Sequence, residues 1–491
     1  MSDPTPLSLA NLPALSGRIA TPRYSRQALR PGIVHFGVGN FHRAHQAVYL
    51  DRLMNKGLAH DFAIVGVGTR PADNAVLNAL QGQDHLTTVV EQSAAASTAR
   101  ITGAMTAMIG PDGAQRAIDA LADPRTRIVT LTITEGGYYI DPTTGAFDEN
   151  HPDIRADSEG SGAPKTVFGL ILAGLARRWE AGVAPFTIAS CDNIPHNGSV
   201  TRAAVTGLAR LQGGDLAGRV SEVAFPNSMV DRITPATSQR ERTLAQTLFG
   251  VADNWPVFCE DYTQWVIEDD FPAGRPPLED VGVEFVADVS GHEAMKIRIL
   301  NGSHAILAYP AALLGIDFVH DAMADPTVST FLDKVVRDEV LPFVADVPGV
   351  DLPQYFTHTK TRIANPKVAD TVRRLCHDGS NRQPKFIVPT LRDAVADGHA
   401  VRGLALASAL WCRYCCGTTE TGAQIAPNDP QWDGLNGLAR QAMDAPQIWL
   451  EQGQIYGDLA HSPAFAGPFA ASLATIRDSG VRSAIDAYLR R

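Results

Sequence analysis

The sequence predicts an α/β protein in which an N-terminal doubly wound sheet is followed by a mainly α-helical C-terminal domain. Three observations predict it. Strand-like and helix-like segments alternate through the first half of the chain. A glycine turn, "GVG", separates the first strand from the first helix. Beyond about residue 285 the β-branched runs give way to long helical ones.

In order, "GIVHFGV" reads as a strand, "HQAVYLDRLMNKG" as an amphipathic helix stopped by glycine, "FAIVGVG" as a second strand and "AVLNALQGQ" as a weaker helix. "HLTTVVEQ" and "RIVTLTIT" add β-branched strands, and "PFTIAS" another after the helix "KTVFGLILAGLARRWEAG". This βαβ alternation predicts a mostly parallel, Rossmann-like sheet. The polar tract "DENHPDIRADSEGSGAP" reads as a surface loop. The later helical runs are "HEAMKIRILNGSHAILAYPAALLG", "VADTVRRLC", "VPTLRDAVADG" and "GLALASALWCRYCCG". Two domains follow, residues 1–284 and 285–491.

Composition narrows the function classes. With 45% hydrophobic and 19% charged residues over 491 positions, the chain can bury a large core. A formal net charge of -11 without a large basic block opposes nucleic acid and anionic membranes, which leaves a small molecule as the expected partner. The start, "MSDPTPLSLANLPALSG", lacks the basic flank and apolar stretch of a signal peptide, and no apolar run spans a bilayer, so a cytoplasmic protein is expected. The six cysteines follow no disulfide-framework spacing. The trio in "WCRYCC" lies in an apolar helical run with no second pair at zinc-site spacing, and reads as buried thiols rather than a metal site.

The glycine turn fits a dinucleotide. Gly37 permits the tight turn, and Gly39 removes a side chain where a pyrophosphate would approach the backbone. A third glycine would belong at His42 and is missing. Arg43, at the start of the following helix, is expected to neutralise phosphate charge. His42 and His45 lack a cysteine or acidic partner nearby and do not read as a metal pair. Asp73, in "TRPADN" after the second strand, is the nearest carboxylate for an adenosine ribose, while Arg70 could meet a ribose phosphate instead. NAD is the expected cofactor, with NADP left open.

The chemistry concentrates in "MKIRILNGSHAIL". At about 100° per residue, Asn301 lies about 140° and His304 about 80° from Lys296, one polar sector in an otherwise apolar run. Burial disfavours an ammonium and makes a lysine usable as a base near neutral pH, so Lys296 is a candidate to take the hydroxyl proton of an alcohol. Asn301 offers amide donors to the oxygen that gains charge, and Asn193, in "ASCDNIPHNG" at the expected ligand-binding edge of the sheet, offers a second. His304 is a candidate to orient a substrate hydroxyl. Glu293 and, behind it, Glu135 in "TITEGGYY" are candidates to pass protons to solvent. Arg298 would act on Lys296 if it pointed into the site and do little otherwise. "GHE" at 291–293 lacks the glycines and cysteine lobe of zinc alcohol dehydrogenases, and Y-x-x-x-K, G-K-[ST] and G-x-S-x-G patterns are absent. Metal-free hydride transfer fits best.

Taken together, "GVGNFHRAHQAVYLDRLM", "LTITEGGYYID", "SCDNIPHNG", "FPNSMVDRITP" and "MKIRILNGSH" resemble the polyol-specific long-chain dehydrogenases, most closely the branch acting on mannitol. In that family the loop reads G-x-G-x-F-x-R-A-H, so Phe41 and His42 belong in it. The resemblance implies NAD-dependent, zinc-independent oxidation of a secondary alcohol of a sugar alcohol, such as D-mannitol to D-fructose, and its reversal. By position Lys296 is similar to the family's general base, Asn193 and Asn301 to its carbonyl-holding pair and His304 to its orienting histidine. Asp231 and Arg374 look like substrate-hydroxyl contacts. Asp73 falls on the ribose acid, but with Ala72 beside it strict rejection of NADP does not follow. The resemblance also implies a monomer. Related activities on D-arabinitol, D-sorbitol or the hexuronate fructuronate share these residues, and a non-catalytic dinucleotide sensor is the reading from another class.

Overall fold

The computed structural model describes residues 3–141, 144–160 and 162–490, in two compact units, Met1–Ser290 and Gly291–Arg491. The first is built on five parallel strands: β1 (Pro31–Phe36), β2 (Ala63–Val67), β3 (Met105–Ile109), β4 (Ile128–Leu131) and β5 (Thr187–Ser190). Their order is β3-β2-β1-β4-β5. It reverses at β1, so the carboxyl ends of β1 and β4 flank the crevice where open α/β sheets take ligands. Buried on both faces, β2, β4 and β5 carry the near-continuous apolar runs expected of parallel strands.

Two expectations are corrected here. "HLTTVVEQ" does form a strand, Thr87–Gln92, but outside the parallel sheet. It pairs antiparallel with Ser97–Thr102 and parallel with Val257–Glu260 in a separate three-stranded sheet. The place beside β2 goes to β3, whose "MTAMI" carries only two β-branched residues and so gives a weak strand signal. The tract expected as a surface loop contains the helix α1 (Pro152–Ser158), with proline at its first position and the His151 imidazole accepting from the Asp153 N–H. Its Asp157 carboxylate accepts from the Lys165 and Thr166 N–H groups and fastens the segment to the next helix. Ser161 of this tract lies outside the described residues.

The strand Glu284–Val286 pairs parallel with Gln264–Glu268, so a division after residue 284 would cut through a strand of the first unit. The second unit then opens at Gly291, inside a helical run that begins at Ser290 and ends with α2 (Gly302–Leu313). Around α2 pack α3 (Arg402–Cys415) and the helix Pro326–Val335, and α3 packs in turn on a long helical segment, Pro463–Leu489, interrupted at Gly480. Phe331, Phe356, Trp411 and Trp449 fill the core, where a fully buried phenylalanine contributes roughly 1.5–3 kcal/mol. The first turn of α3 is capped by buried Glu339, whose carboxylate accepts from the N–H groups of Gly403 (2.7 Å) and Leu404 (2.9 Å). "VADTVRRLC" is helical only over Val372–Leu375, because Ala369 takes a left-handed conformation (φ 51°) just before it. All six cysteines are free and five are buried, and burial pushes the Cys412 and Cys415 thiols up.

Candidate active site

In the first unit the cofactor loop is fixed by contact between backbones. Gly37 has φ 93°, and a Cβ there would stand 2.0 Å from the Thr132 carbonyl oxygen at the end of β4. Only glycine fits both restrictions. The Thr132 hydroxyl donates to the Gly37 carbonyl (2.7 Å), and the His35 Nε2 lies 3.0 Å from the same oxygen. Gly39 is different: a Cβ there would have only Gly37 O nearby, at 3.9 Å, so its missing side chain leaves open space beside the loop. A tight turn on the β1 carboxyl edge with an open glycine after it is a cradle that suits a pyrophosphate. Gly37→Ala is expected to add strain of at least about 1–3 kcal/mol and to weaken NADH binding, read by fluorescence titration. Undiminished NADH affinity would contradict this assignment of the loop.

Arg43, expected to neutralise phosphate charge, is bonded into the loop itself. It is fully buried, with its guanidinium donating to the Trp255 carbonyl (2.6 Å), the Asn40 side-chain oxygen (2.6 Å) and the Gly39 carbonyl (3.3 Å). It holds the loop in shape, with three of its five N–H groups committed to these oxygens. Phe41 stacks on His45 with ring centroids 4.8 Å apart. His42, standing where a third glycine was missed, stacks on His35 at 3.4 Å and pairs through Nδ1 with Gln46 Oε1 (2.8 Å). Asp73 accepts from the N–H groups of Thr69 and Arg70 (both 3.0 Å) and pairs with the Arg70 guanidinium, fixing the turn that follows β2.

The carboxyl ends of β4 and β5 are knitted to each other. Asp192, 9% exposed, accepts from the N–H groups of Ile133 (2.8 Å) and Thr134 (2.9 Å) and from the Tyr138 hydroxyl (2.7 Å). Thr134 is held at φ 64°, ψ 165°, a region almost restricted to glycine and costing about 1–3 kcal/mol. Asn193 follows Asp192 and is exposed, as is Glu135 in the turn after β4. The buried Asn197 side chain donates to the Asp192 carbonyl (3.0 Å) and the Ser228 carbonyl (2.8 Å), tying the Asn193 loop to the strand Ser228–Asp231 that ends in buried Asp231. Asp192 and Asn197 escaped the sequence reading because one carboxylate and one amide in "CDNIPHN" carry no periodic signal.

In the second unit the candidate residues lie on one helical run whose geometry changes at the decisive point. Ser290–Met295 is α-helical, Lys296–Asn301 is a π segment, and α2 follows without a break. The Gly302 N–H reaches back to the Ile297 carbonyl, five residues away, as a π turn requires. A uniform helix would put Asn301 about 140° from Lys296. Here an i to i+5 ring replaces the tighter turn and brings the pair closer to a common line. Glu293 precedes Lys296 by three residues and His304 follows Asn301 by three, the spacing at which an α-helix stacks neighbours. Glu293 (7% exposed) and Lys296 (6%) are buried, while Asn301 and His304 are half-buried. Met295, Ile299 and Ile306 join the core from the same run.

Two arginines are accounted for. The Arg298 guanidinium donates to the Phe343 carbonyl (2.5 Å) and pairs with Asp393 (2.6 Å), which neutralises it and commits it to those partners. Arg374 forms a two-pronged pair with Asp370, four residues before it, and its side chain is half exposed. That short helix packs against α2, which brings the Arg374–Asp370 pair to the helix that follows the candidate run. Among the described residues no group of three or more His, Cys, Asp or Glu is arranged to hold a metal ion, and no helix is long and apolar enough to cross a membrane.

A nucleotide-type parallel sheet with an open glycine cradle, joined in one chain to a helix bearing a buried lysine, an amide and an imidazole, defines the class of nicotinamide-dependent dehydrogenases that work through side chains. Comparison with known proteins narrows this. Residues 31–280 match the mannitol dehydrogenase Rossmann domain and residues 288–477 the mannitol dehydrogenase C-terminal domain. The chain belongs to the mannitol dehydrogenase family. It is 55% identical to the mannitol 2-dehydrogenase of Cereibacter sphaeroides, covering 96% of this chain and 99% of that one, and 40% identical to that of Aspergillus fumigatus over 98% of each. Its fold is similar to the Pseudomonas fluorescens mannitol 2-dehydrogenase ternary complex with NAD and D-mannitol (TM-score 0.88, 42% identity, 99% of this chain and 100% of that one). It is also similar to a D-sorbitol dehydrogenase in substrate-free form (TM-score 0.91, 35% identity, 98% and 100%).

Proposed function

We propose that this chain is an NAD-dependent mannitol 2-dehydrogenase that oxidises D-mannitol to D-fructose and runs in reverse. The observation that carries the reading is the placing of Glu293, Lys296, Asn301 and His304 on one helical run, in a chain so similar to mannitol 2-dehydrogenases along its whole length. Gly37, Gly39 and Phe41 shape the loop that would hold NAD, and Asp73 stands at the turn assigned to its ribose. When bound, the nicotinamide supplies the hydride acceptor.

The protein's own residues do the rest. Lys296 takes the proton of the reacting hydroxyl as the carbon–oxygen bond becomes a carbonyl. Asn193 and Asn301 donate hydrogen bonds to that oxygen, and His304 orients the substrate through a hydroxyl. Asp231 accepts from a further hydroxyl. Glu293 carries the lysine's proton onward, with Glu135 as the alternative exit. No metal enters any of these steps.

The test is NADH absorbance with purified protein, offering D-mannitol, D-sorbitol, D-arabinitol and D-fructuronate in turn, with NAD or NADP (NADH or NADPH for the ketoacid) and with or without a chelator. Chelator-resistant oxidation of mannitol with NAD is the expected result. The likeness to a D-sorbitol dehydrogenase makes sorbitol the second substrate to watch. Activity confined to fructuronate would overturn the substrate, and activity abolished by chelator would overturn the mechanism. NAD binding without turnover of any of them would leave a sensor.

A further inference from the structure

We infer that Asp192, with Tyr138, is a positioning residue that sets the carbonyl-holding Asn193 and the cofactor loop in register across the carboxyl edge of the sheet. The inference rests on the function proposed above, and its geometry lies wholly within the first unit.

Asp192 receives three donors. Its Oδ1 accepts from the Thr134 N–H and its Oδ2 from the Ile133 N–H and the Tyr138 hydroxyl. The Tyr138 oxygen is also 2.6 Å from the Ser190 hydroxyl, at the end of β5. A carboxylate that only accepts satisfies all three donors, and an amide cannot. Through these bonds the end of β5 holds the turn after β4 in the conformation that Thr134 would otherwise leave. The connection continues: Thr132, two residues before Thr134, is bonded through its hydroxyl to the Gly37 carbonyl and stands in backbone contact with Gly37. Asp192 is itself fixed from the other side, where its carbonyl accepts from buried Asn197. Asn193, the next residue, is therefore one peptide away from an anchor bonded at both ends. The distance between the oxygen holder and the cofactor loop is set by this chain of bonds and not by either loop alone.

Asp192→Asn tests it. The amide keeps one accepting oxygen and turns an N–H2 group on the Thr134 or Ile133 N–H, which releases the strained turn. The expected result is a kcat for polyol oxidation about 100-fold lower, the cost of a displacement of roughly 1 Å at a reacting group, with NADH affinity unchanged. Adding Thr134→Gly to this variant should recover kcat about tenfold, since glycine adopts the required conformation without support. A residue that merely stabilised the fold would instead lower the fraction of folded protein in Asp192→Asn and leave kcat per folded molecule at the parent's value. Tyr138→Phe leaves two of the three donors and should lower kcat about three- to tenfold, a smaller misplacement, in a protein that still folds. A kcat within about twofold of the parent in Asp192→Asn, or in Tyr138→Phe should the first variant not fold, overturns the inference. So does an Asp192→Asn defect that glycine at 134 leaves unrescued. If the parent protein oxidises no polyol, the proposed function fails, and positioning is judged instead by crystallography of whichever variant folds. A Thr134 backbone still at positive φ in Asp192→Asn, or unmoved in Tyr138→Phe, then overturns the inference by itself.

Discussion

Lys296→Ala is expected to lower kcat for mannitol about 100- to 10,000-fold while NADH still binds with the parent's affinity, the signature of a lost general base in an intact cofactor site. The lysine is buried and its run is anchored by Met295 and Ile299, so truncation removes an amine without exposing the core. Stopped-flow turnover and NADH fluorescence read the two quantities separately. Unchanged turnover would take Lys296 out of the mechanism and leave Glu293, three residues away, as the base to test next.

The second large effect is on stability. His35, His42 and His45 are fully buried in the first unit, and burial, the largest cause in each, holds all three imidazoles neutral, with His42 and His45 lowered to about 3. The protonated neighbour Arg43 pushes His42 down further, and Arg232 does the same to His45. An unfolded histidine titrates near 6.5, so between about pH 6.5 and 3 the unfolded chain binds protons that the folded one refuses. Stability is therefore complete above about pH 6.5 and falls as pH drops, by about 1.4 kcal/mol per histidine for each unit below it. Buried Asp51, Asp192 and Glu339, whose carboxyls burial pushes up, act in the opposite sense and offset part of the loss. Urea unfolding followed from about pH 7 to pH 5 should show the midpoint falling well before ordinary carboxylates titrate. A midpoint that stays level over that interval would mean that the histidines are hydrated or already charged in the native state.

Much of this architecture was legible in the chain. The glycine turn, four of the five parallel strands and the helical second unit follow from hydrophobic period and turn chemistry, which are local properties. Which sheet a strand joins is not local. "HLTTVVEQ" and "MTAMI" exchanged roles because pairing partners lie far away in sequence: Thr87–Gln92 pairs with a strand beginning at Val257. Arg43 is a related case. Its sequence position says nothing of its carbonyl partner, since the Trp255 oxygen comes from another part of the chain. Arg298 was left undecided between two orientations, and it took Asp393 and the Phe343 carbonyl to choose one. The candidate run was found by counting at a constant angle per residue, which put Lys296, Asn301 and His304 on one helical run but with the wrong spacing between Lys296 and Asn301.

That spacing has a consequence for how the enzyme can be altered. Substitution changes what a position carries but leaves where it stands. Deleting one residue between Ile297 and Leu300 would let the run close as an ordinary α-helix, because the ring of five would become a ring of four. Asn301 would then follow Lys296 by four residues and His304 by seven, about 40° and about 20° from it on a uniform helix, so all three would stay near one line with one residue fewer between them. The deletion would remove the wider turn and no functional group. A single-codon deletion thus separates what the π ring itself contributes from what its side chains contribute, which an alanine scan cannot do.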